Sequence, residues 1–535
     1  MAALALAAAP SVGQGPSRLD LGGDLVVGGE AERYLRVLQL AGLAPTQPWT
    51  IRPLSPLGEK GFVASGDHPW KDRWNADSSS GNPTWGFLRP AVKLVYNSSF
   101  PYQDNDGPAW AGRGLTTELQ GGIAAHVWRF RLQLAPIVFL AQNQAFTLAP
   151  NGATGKGQYA DARFPGYIDA PQRFGPNAYG RVDPGNSTLS LDLPGTIVGV
   201  SNAAQSWGPA RDFPLVLSGN SGGFLHAFAA TKSPLNLGIV GLHFRLIGGR
   251  LSASDYAPVP SVSVNRWASA LVMTIVPHGV EGLELGAARF IEGQSLRGYP
   301  TVHQVARLFT GGFSGTGALN VASENQLGSA FFRWAFPRAG IEVYGEYYRD
   351  DFSLDFRRFL QYPDDYATYN FGLQRVLHAS AGRIRTFGFE IVNGELSSSN
   401  RGERGDLATR TLSTPLPPYI HSDVTQGHTN HGLLLGSPEA YGGAGWRVSV
   451  DQFDTRGRTS LSLERSLRLD WLPGSTDAAQ LQPDVLWALR AEAMRFAGDR
   501  EYTLSIAPMI DLNRNLQPGH DVLNLRVAFS VRGFR

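Results

Sequence analysis

The chain has 535 residues, of which 42% are hydrophobic and 17% charged, so it can bury a large core and is not a disordered polypeptide. Its 47 basic and 45 acidic residues are spread along the sequence and leave a formal charge of +2, which argues against a nucleic-acid partner. The absence of cysteine excludes disulfides and thiolate metal sites.

The N-terminal region differs from the rest of the chain. Residues 1–20 have the apolar, small-residue composition of the later part of a signal peptide, but no basic residue precedes Arg18. Either they are a truncated signal peptide or leader, or they are not a leader at all. Residues 21–90 predict a small helical cap and a linker. Apolar side chains from Tyr34 to Ala41 recur at helical spacing behind Glu30 and Glu32.

From residue 91 to residue 535 the dominant pattern is an alternation of apolar and polar residues, which predicts β-strands with one dry face and one wet face. In "HVWRFRLQLAP", which starts at His126, Trp128 and the following apolar residues alternate with Arg129, Arg131 and Gln133. The same alternation recurs in "AFFRWAFP", "GWRVSVDQF" and "LNLRVAFSVR".

Three features favour lipid as the surroundings of the dry faces. The wet faces carry charges of both signs, as a water-filled or plugged lumen does, Trp and Tyr residues occur at strand ends, and strands continue to the C-terminus. No apolar run approaches the roughly 20 residues of a spanning helix. We therefore predict an all-β fold, a transmembrane antiparallel barrel of roughly 16 to 20 strands. A stack of soluble β-sandwiches is the alternative.

One motif resembles a serine hydrolase. Gly219 to Gly223, in "LSGNSGGF", satisfies G-x-S-x-G around Ser221, and "AAH" at His126 resembles the histidine segment of trypsin-like proteases. Strand-like sequence follows Ser221 where a nucleophile elbow requires a helix. A glycine-rich turn is therefore favoured over a catalytic site.

A second motif has metal-ligating side chains. His421, Asp423, His428 and His431 lie close together in "YIHSDVTQGHTNHG", and imidazole and carboxylate groups suit zinc or nickel. Their spacing follows no established site, so a polar loop is favoured. We expect no metal and no cofactor.

Three loop-like segments, 158–181, 292–304 and 361–372, are rich in Tyr, Arg, Asp and Gly. Aromatic faces stack on sugar rings, and planar charged groups form hydrogen bonds with hydroxyls, so such loops suit carbohydrate. The candidate polysaccharide-binding residues are Arg173, Trp207, Arg211, Tyr362, Asp364, Asp365 and Tyr366.

Several ordered segments, from about residue 30 to the end, resemble the Wzi family of capsule-assembly proteins. They are "VYNSSFPYQDNDGPAWAGRG", "GGIAAHVWRFRLQLAP", "DAPQRFGPNAYGRVDPGNSTLSL", "WGPARDFPLVLSGNSGGFLHAF", "YYRDDF" and "PPYIHSDVTQGHTNHGLLLG". The resemblance implies an outer-membrane barrel of about eighteen strands, a short helical bundle at its periplasmic mouth, and a lectin-like role in holding capsular polysaccharide. It also implies that the segment around Ser221 is structural.

The function predicted from the sequence is non-enzymatic. We expect a monomeric outer-membrane protein that binds capsular or extracellular polysaccharide at the cell surface and contacts outer-membrane lipids. A diffusion channel for sugars or small polar solutes is an alternative with the same barrel. An outer-membrane hydrolase using Ser221 or the histidine segment is a third.

Overall fold

The computed structural model describes residues 24–55, 62–74, 84–258, 263–310, 324–350, 356–397, 416–469 and 482–533. The expected leader at residues 1–20 lies outside these ranges, as do parts of the expected cap and linker.

Within these ranges, eighteen antiparallel strands close into one barrel, which confirms the predicted fold class. Each strand pairs with its sequence neighbours, and the first strand pairs with the last through partners such as Val95 and Ala528. Three of the strands, β3, β4 and β6, are interrupted. The strands are β1 (Thr84–Asn97), β2 (Gly114–Val127), β3 (Phe130–Leu134 and Ile137–Ala141), β4 (Tyr179–Asp183 and Thr188–Leu193), β5 (Thr196–Ser201), β6 (His226–Thr231 and Leu235–Asn236), β7 (Val240–Leu251), β8 (Arg266–Pro277), β9 (Leu283–Gln294), β10 (Glu324–Phe336), β11 (Ile341–Asp350), β12 (Ala367–Ser380), β13 (Arg383–Asn393), β14 (Ala444–Asp454), β15 (Gly457–Leu469), β16 (Asp484–Ala497), β17 (Arg500–Leu512) and β18 (Val522–Arg532).

The predicted alternation places charge inside the barrel and apolar side chains outside it. On β10, Arg333 is 1% exposed and its guanidinium binds two lumen carboxylates, whereas its neighbours Phe332 and Trp334 are 37% and 38% exposed on the outer wall. Since successive side chains of a strand point to opposite faces, the alternating sequence gives a charged lumen and an apolar outer wall.

The stretch "HVWRFRLQLAP" is not one continuous strand. Strand β2 ends at Val127, Trp128 and Arg129 form a turn, and β3 begins at Phe130. Trp128 has a positive φ of 54°, which a regular strand does not contain. The alternation therefore holds only after the turn, with Phe130 and Leu134 exposed on the outer wall.

The connections differ sharply in length at the two ends of the barrel. Turns such as 128–129, 194–195 and 498–499 join strands at one end, which we call the short-turn end. The connections 142–178 and 202–225 are among those at the opposite, long-loop end.

The predicted N-terminal helix is confirmed as α1 (Glu30–Leu40). It packs at the short-turn end, where Tyr34 stacks on Trp70 with ring centroids 4.1 Å apart and Phe453 of β14 joins the cluster. Arg458 of β15 forms an ion pair with Glu30 at 2.7 Å. The cap is thereby fixed to the barrel wall.

The remaining helices of the described chain are short, and none of them has the length or apolarity to cross a membrane. They are α2 (Lys71–Trp74), α3 (Val302–Ala306) and α4 (Phe356–Gln361), with 3-10 turns at Gly155–Tyr159, Arg307–Phe309, Pro438–Ala440 and Arg514–Leu516. In the same described ranges, two further sheets of two short strands each pair Ile51–Arg52 with Ser206–Trp207 and Thr429–Asn430 with Leu433–Leu434.

Candidate functional site

The loop 202–225, between β5 and β6, folds back into the lumen, and we call it the plug. Its Ser206–Trp207 segment pairs with Ile51–Arg52, and the amide of Gly208 donates to the carbonyl of Thr50 at 2.9 Å. Residues 50–52, which precede the barrel, enter the lumen from the short-turn end. The bonds to these residues show that the plug extends from the long-loop end toward the short-turn end.

One carboxylate of the wall holds the backbone of the plug. Glu390, on the lumen side of β13, accepts hydrogen bonds from the backbone N–H groups of Arg211, Asp212 and Phe213 at 2.9, 3.2 and 2.6 Å. It also accepts the hydroxyl of Tyr344 at 2.6 Å. Hydrogen bonds to an ionised carboxylate are stronger than neutral ones, so Glu390 anchors the plug.

Arginines of the wall tie two loops into the lumen. Arg447 of β14 binds Asp104 of the β1–β2 loop at 2.9 Å and Asp212 of the plug at 3.0 Å. Arg526 of β18 binds Asp106 of the same β1–β2 loop at 2.8 Å. Arg526 and Asp106 are both buried, and removal of one partner from such a pair leaves an uncompensated charge, which is strongly destabilising.

Two small cavities lie beside the residues that precede the barrel, with volumes of about 20 and about 50 Å³. The larger is lined by several arginines, among them Arg36, Arg52 and Arg211. A water molecule needs roughly 10 to 15 Å³ of such volume, so each cavity holds at most a few waters. Neither of them has room for a sugar ring.

At the long-loop end, two loops bring Tyr159 and Tyr256 together, with ring centroids 5.8 Å apart and ring planes inclined at 75°. The ammonium of Lys156 lies 5.3 Å from the centre of the Tyr256 ring, and the guanidinium of Arg173 lies 5.9 Å from that of Tyr159. Asp255 beside them is exposed. We call these five residues the tyrosine patch. They combine aromatic faces with hydrogen-bonding charged groups, the chemistry that suits a carbohydrate.

The tyrosine patch has a fixed base. The carboxylate of Asp169 accepts hydrogen bonds from the backbone N–H of Ser254, at 2.6 Å, and from its hydroxyl. Gly175 has a φ of 76°, and a Cβ at this position would lie 2.2 Å from the hydroxyl oxygen of Tyr256. Burial raises the pKa of Tyr256. Its hydroxyl can donate a hydrogen bond.

The structure distributes the seven candidate residues over three places. Tyr362, Asp364, Asp365 and Tyr366 lie together in the connection between β11 and β12, at the rim of the long-loop end. Asp365 is buried and accepts the hydroxyl of Ser397 at 2.9 Å, while the other three are half-buried. This rim loop therefore presents two tyrosines and one carboxylate at the surface.

Arg173 alone among the candidates belongs to the tyrosine patch. It is buried beneath Tyr159, and its guanidinium donates to the carbonyl of Asn143 at 2.7 Å. Tyr256, the partner of Tyr159, was not among the candidates. Its only sequence signal is a tyrosine between Asp255 and Ala257 in a polar loop, which is weak.

The expected open-loop placement of Trp207 and Arg211 needs correction. Trp207 is 0% exposed because the plug carries it into the lumen, where it pairs with Ile51. Arg211 is held by Asp212 at 2.8 Å and by the hydroxyl of Ser449 at 2.7 Å. Both side chains are structural parts of the plug in this conformation.

The residues of the two enzyme-like motifs do not converge. Ser221 is fully buried in the plug at the long-loop end, whereas His126 is exposed on β2 near the short-turn end. In the histidine segment, His421 accepts the backbone N–H of Asp423, and Nε2 of His428 lies 2.7 Å from the carbonyl of Val216. Among the described residues, no three metal-type side chains are grouped as a site.

These features define the class of protein, a closed antiparallel β-barrel of the outer-membrane type in which the chain's own loops fold into the lumen. A solved structure with the same fold is that of Wzi from Escherichia coli, described as an outer membrane protein involved in group 1 capsule assembly and as a carbohydrate-binding β-barrel. It matches with a TM-score of 0.58 and 13% sequence identity over 95% of this chain and 99% of that chain. The chain therefore has a Wzi-like fold.

Other solved barrels match with lower TM-scores. OccAB3 of Acinetobacter baumannii matches at 0.39, with 9% identity over 83% of this chain and 99% of that chain. OccK2 of Pseudomonas aeruginosa, solved in complex with glucuronate, also matches at 0.39, with 8% identity over 85% and 97%. No protein-family model matches the sequence, and no curated protein is similar to it in sequence.

Proposed function

We propose that this protein is a non-enzymatic outer-membrane barrel that binds capsular or extracellular polysaccharide at its long-loop end. The observation that carries the proposal is the plug, because it runs through the lumen between the tyrosine patch and the cap. Because the plug occupies the lumen, a sugar ligand binds on the surface of the loops. The Wzi-like fold supports the same reading.

The binding surface consists of the tyrosine patch and the rim loop. Both combine tyrosines with charged side chains, and both lie at the end where loops are long. In outer-membrane barrels the long loops face the outside of the cell and the short turns face the periplasm. The polysaccharide therefore binds outside, with the cap on the periplasmic side.

The first test separates binding from diffusion. Purified protein inserted into planar bilayers is expected to show no steady current, because the plug is anchored to the wall by Glu390 and Arg447. Steady open-channel currents would favour the diffusion channel and contradict the proposal.

The second test locates the ligand. On an array of capsular and extracellular polysaccharides, Tyr256→Ala and Tyr366→Ala should each weaken binding by roughly 5- to 150-fold, the equivalent of about 1 to 3 kcal/mol for a lost stacking ring. Tyr256→Phe, which keeps the ring, should lose less. Tyr167→Ala removes another exposed tyrosine of the long-loop end and serves as the control.

Folding is monitored in every variant by the difference in gel migration between heated and unheated samples. If all variants remain folded and bind as tightly as the parent, the proposed surface is wrong. An equal loss in Tyr167→Ala would show that binding is not centred on the tyrosine patch.

A further inference from the structure

Residues 295–310, which follow β9, lie against the outside of the barrel, and we call them the wall segment. They cover Trp267 of β8, which is 0% exposed although it projects from the outer wall, and Leu308 packs with Trp267, Leu271 and Ile291. Arg289 of β9 fastens the end of the segment by donating to the carbonyl of Leu308 at 3.2 Å. The wall segment is thus a built part of the barrel's outer surface.

The other side of the wall segment exposes apolar side chains. Leu296 is 82% exposed, Val302 is 87% exposed and Phe309 is 65% exposed, whereas Tyr299 is 45% exposed. These side chains continue the apolar outer wall, because the segment replaces the wall surface that it covers on β7, β8 and β9. A surface of this kind is stable where it meets hydrocarbon.

The wall segment also carries positive charge. Residues 295–310 contain Arg297, His303 and Arg307 and no Asp or Glu. Arg307 is paired with Glu324, whereas Arg297 and His303 are exposed. An apolar surface bordered by exposed basic groups fits a lipid with an anionic headgroup, since arginine binds phosphate and the apolar side chains meet the acyl chains.

We propose that the wall segment is embedded in the leaflet at the long-loop end and binds an anionic, phosphate-bearing lipid of that leaflet. The proposal rests on the membrane placement given under the proposed function and adds to it a lipid-binding surface distinct from the polysaccharide surface. Arg297 is the headgroup contact, and Leu296, Val302 and Phe309 are the acyl contacts.

The absence of cysteine from the chain makes a depth measurement direct. Val302→Cys, carrying an environment-sensitive fluorophore, is reconstituted in vesicles that contain lipids with a nitroxide quencher on the acyl chain. Leu140→Cys, on the exposed outer wall of β3, is the lipid-facing reference, and Asn177→Cys, exposed in the 142–178 loop, is the aqueous reference. The fluorophore at Val302→Cys should be quenched as strongly as that at Leu140→Cys and more strongly than that at Asn177→Cys.

The references separate the two proposals. Quenching at position 140 but not at position 302 would overturn the inference and leave the membrane barrel intact. Absence of quenching at position 140 would overturn the membrane placement itself, and the inference with it.

Headgroup preference is tested by native mass spectrometry of protein released from micelles that contain equal amounts of phosphatidylglycerol and phosphatidylcholine. The parent should retain more phosphatidylglycerol. Arg297→Gln should reduce that excess about fivefold, which corresponds to about 1 kcal/mol per arginine near an anionic surface. Arg338→Gln removes an exposed arginine at the short-turn end and should leave the excess unchanged. Equal retention of the two lipids by the parent would contradict the headgroup assignment.

Discussion

Trp207 and Tyr256 are both aromatic residues of irregular segments, but tertiary contacts give them opposite environments. Trp207 is fully buried in the plug, whereas Tyr256 is partly exposed at the long-loop end, beside Lys156. The contribution of a ring to stability follows from its burial, and its availability to a ligand follows from its exposure. Substitutions at the two positions therefore separate folding from binding.

Trp207→Ala should lower the free energy of unfolding by about 3 to 5 kcal/mol, because the lost ring leaves a cavity in the packed lumen. Thermal unfolding in detergent micelles measures the change. Tyr256→Ala, which removes a partly exposed ring, should have a clearly smaller effect. Equal midpoints for the parent and Trp207→Ala would contradict the burial of this ring.

His431 gives the loops of the long-loop end a sensitivity to acid. Burial, with Arg181 and Arg266 nearby, lowers the pKa of His431 from 6.5 to about 3. At His431 the folded protein therefore binds fewer protons than the unfolded chain between these values, so the stability that this neutral histidine contributes is complete above pH 6.5 and is lost as the pH approaches 3. The slope for one histidine is at most about 1.4 kcal/mol per pH unit.

The loss of stability between neutral and acidic pH should differ between the parent and His431→Gln. His431→Gln should lose less stability than the parent when thermal unfolding is compared at about pH 7.5 and about pH 4.5. His126→Gln, at an exposed position of β2, should behave as the parent does. A parent and a His431→Gln variant with the same acid sensitivity would show that His431 does not carry it.

At the scale of elements, the plug is held by its backbone more than by any one side chain. Glu390 accepts hydrogen bonds from three successive N–H groups of the plug, and the carbonyl of Leu435 accepts one from the backbone N–H of Ser218. The plug is therefore built into the wall and into the loop before β14. Its position depends on contacts between residues far apart in the sequence.

Glu390→Gln should loosen the plug, because the amide has no negative charge to offer to the three N–H groups. We expect a loss of about 1.5 to 3 kcal/mol in stability and the appearance of transient current bursts in planar bilayers. Glu281→Gln, at an exposed turn of the short-turn end, is the matched control. A Glu390→Gln variant that is as stable and as silent as the parent would contradict the anchoring role.

At the scale of the whole molecule, the two ends of the barrel differ in the segments that they carry. The cap and the short turns lie at one end, and the tyrosine patch and the rim loop lie at the other. Exposed aromatic residues mark both borders of the outer wall, Trp85 and Trp128 near the short turns and Tyr96 and Tyr369 near the long loops. Such girdles fit the two interfaces of a membrane.

Orientation in the cell can be measured with single cysteines in this cysteine-free chain. Asn177→Cys should react with a membrane-impermeant maleimide in intact cells, because the proposed function places the long loops outside the cell. Arg338→Cys, exposed at the short-turn end, should react only after the outer membrane is permeabilised. The reverse pattern would invert the barrel and move the proposed polysaccharide site to the periplasm.

The sequence by itself determined the barrel and the helix α1. Both follow from local periodicity: alternation in stretches such as the one around Arg333 sets a wet and a dry face, and the spacing of Tyr34 and its apolar neighbours sets one face of a helix. These patterns need no knowledge of distant residues. The number of strands also lies within the predicted range, because the length of the chain limits how many strands can follow the cap.

Only the tertiary structure decided the turn at Trp128, the path of the plug and the place of each candidate side chain. Trp207 and Arg211 have the composition of a ligand loop but are drawn inward by contacts with Ile51 and Glu390, which lie far away in the sequence. Tyr159 and Tyr256 meet because Asp169 and Ser254 join their loops. Composition does not record such pairings, because burial and proximity are properties of the closed barrel and not of any single segment.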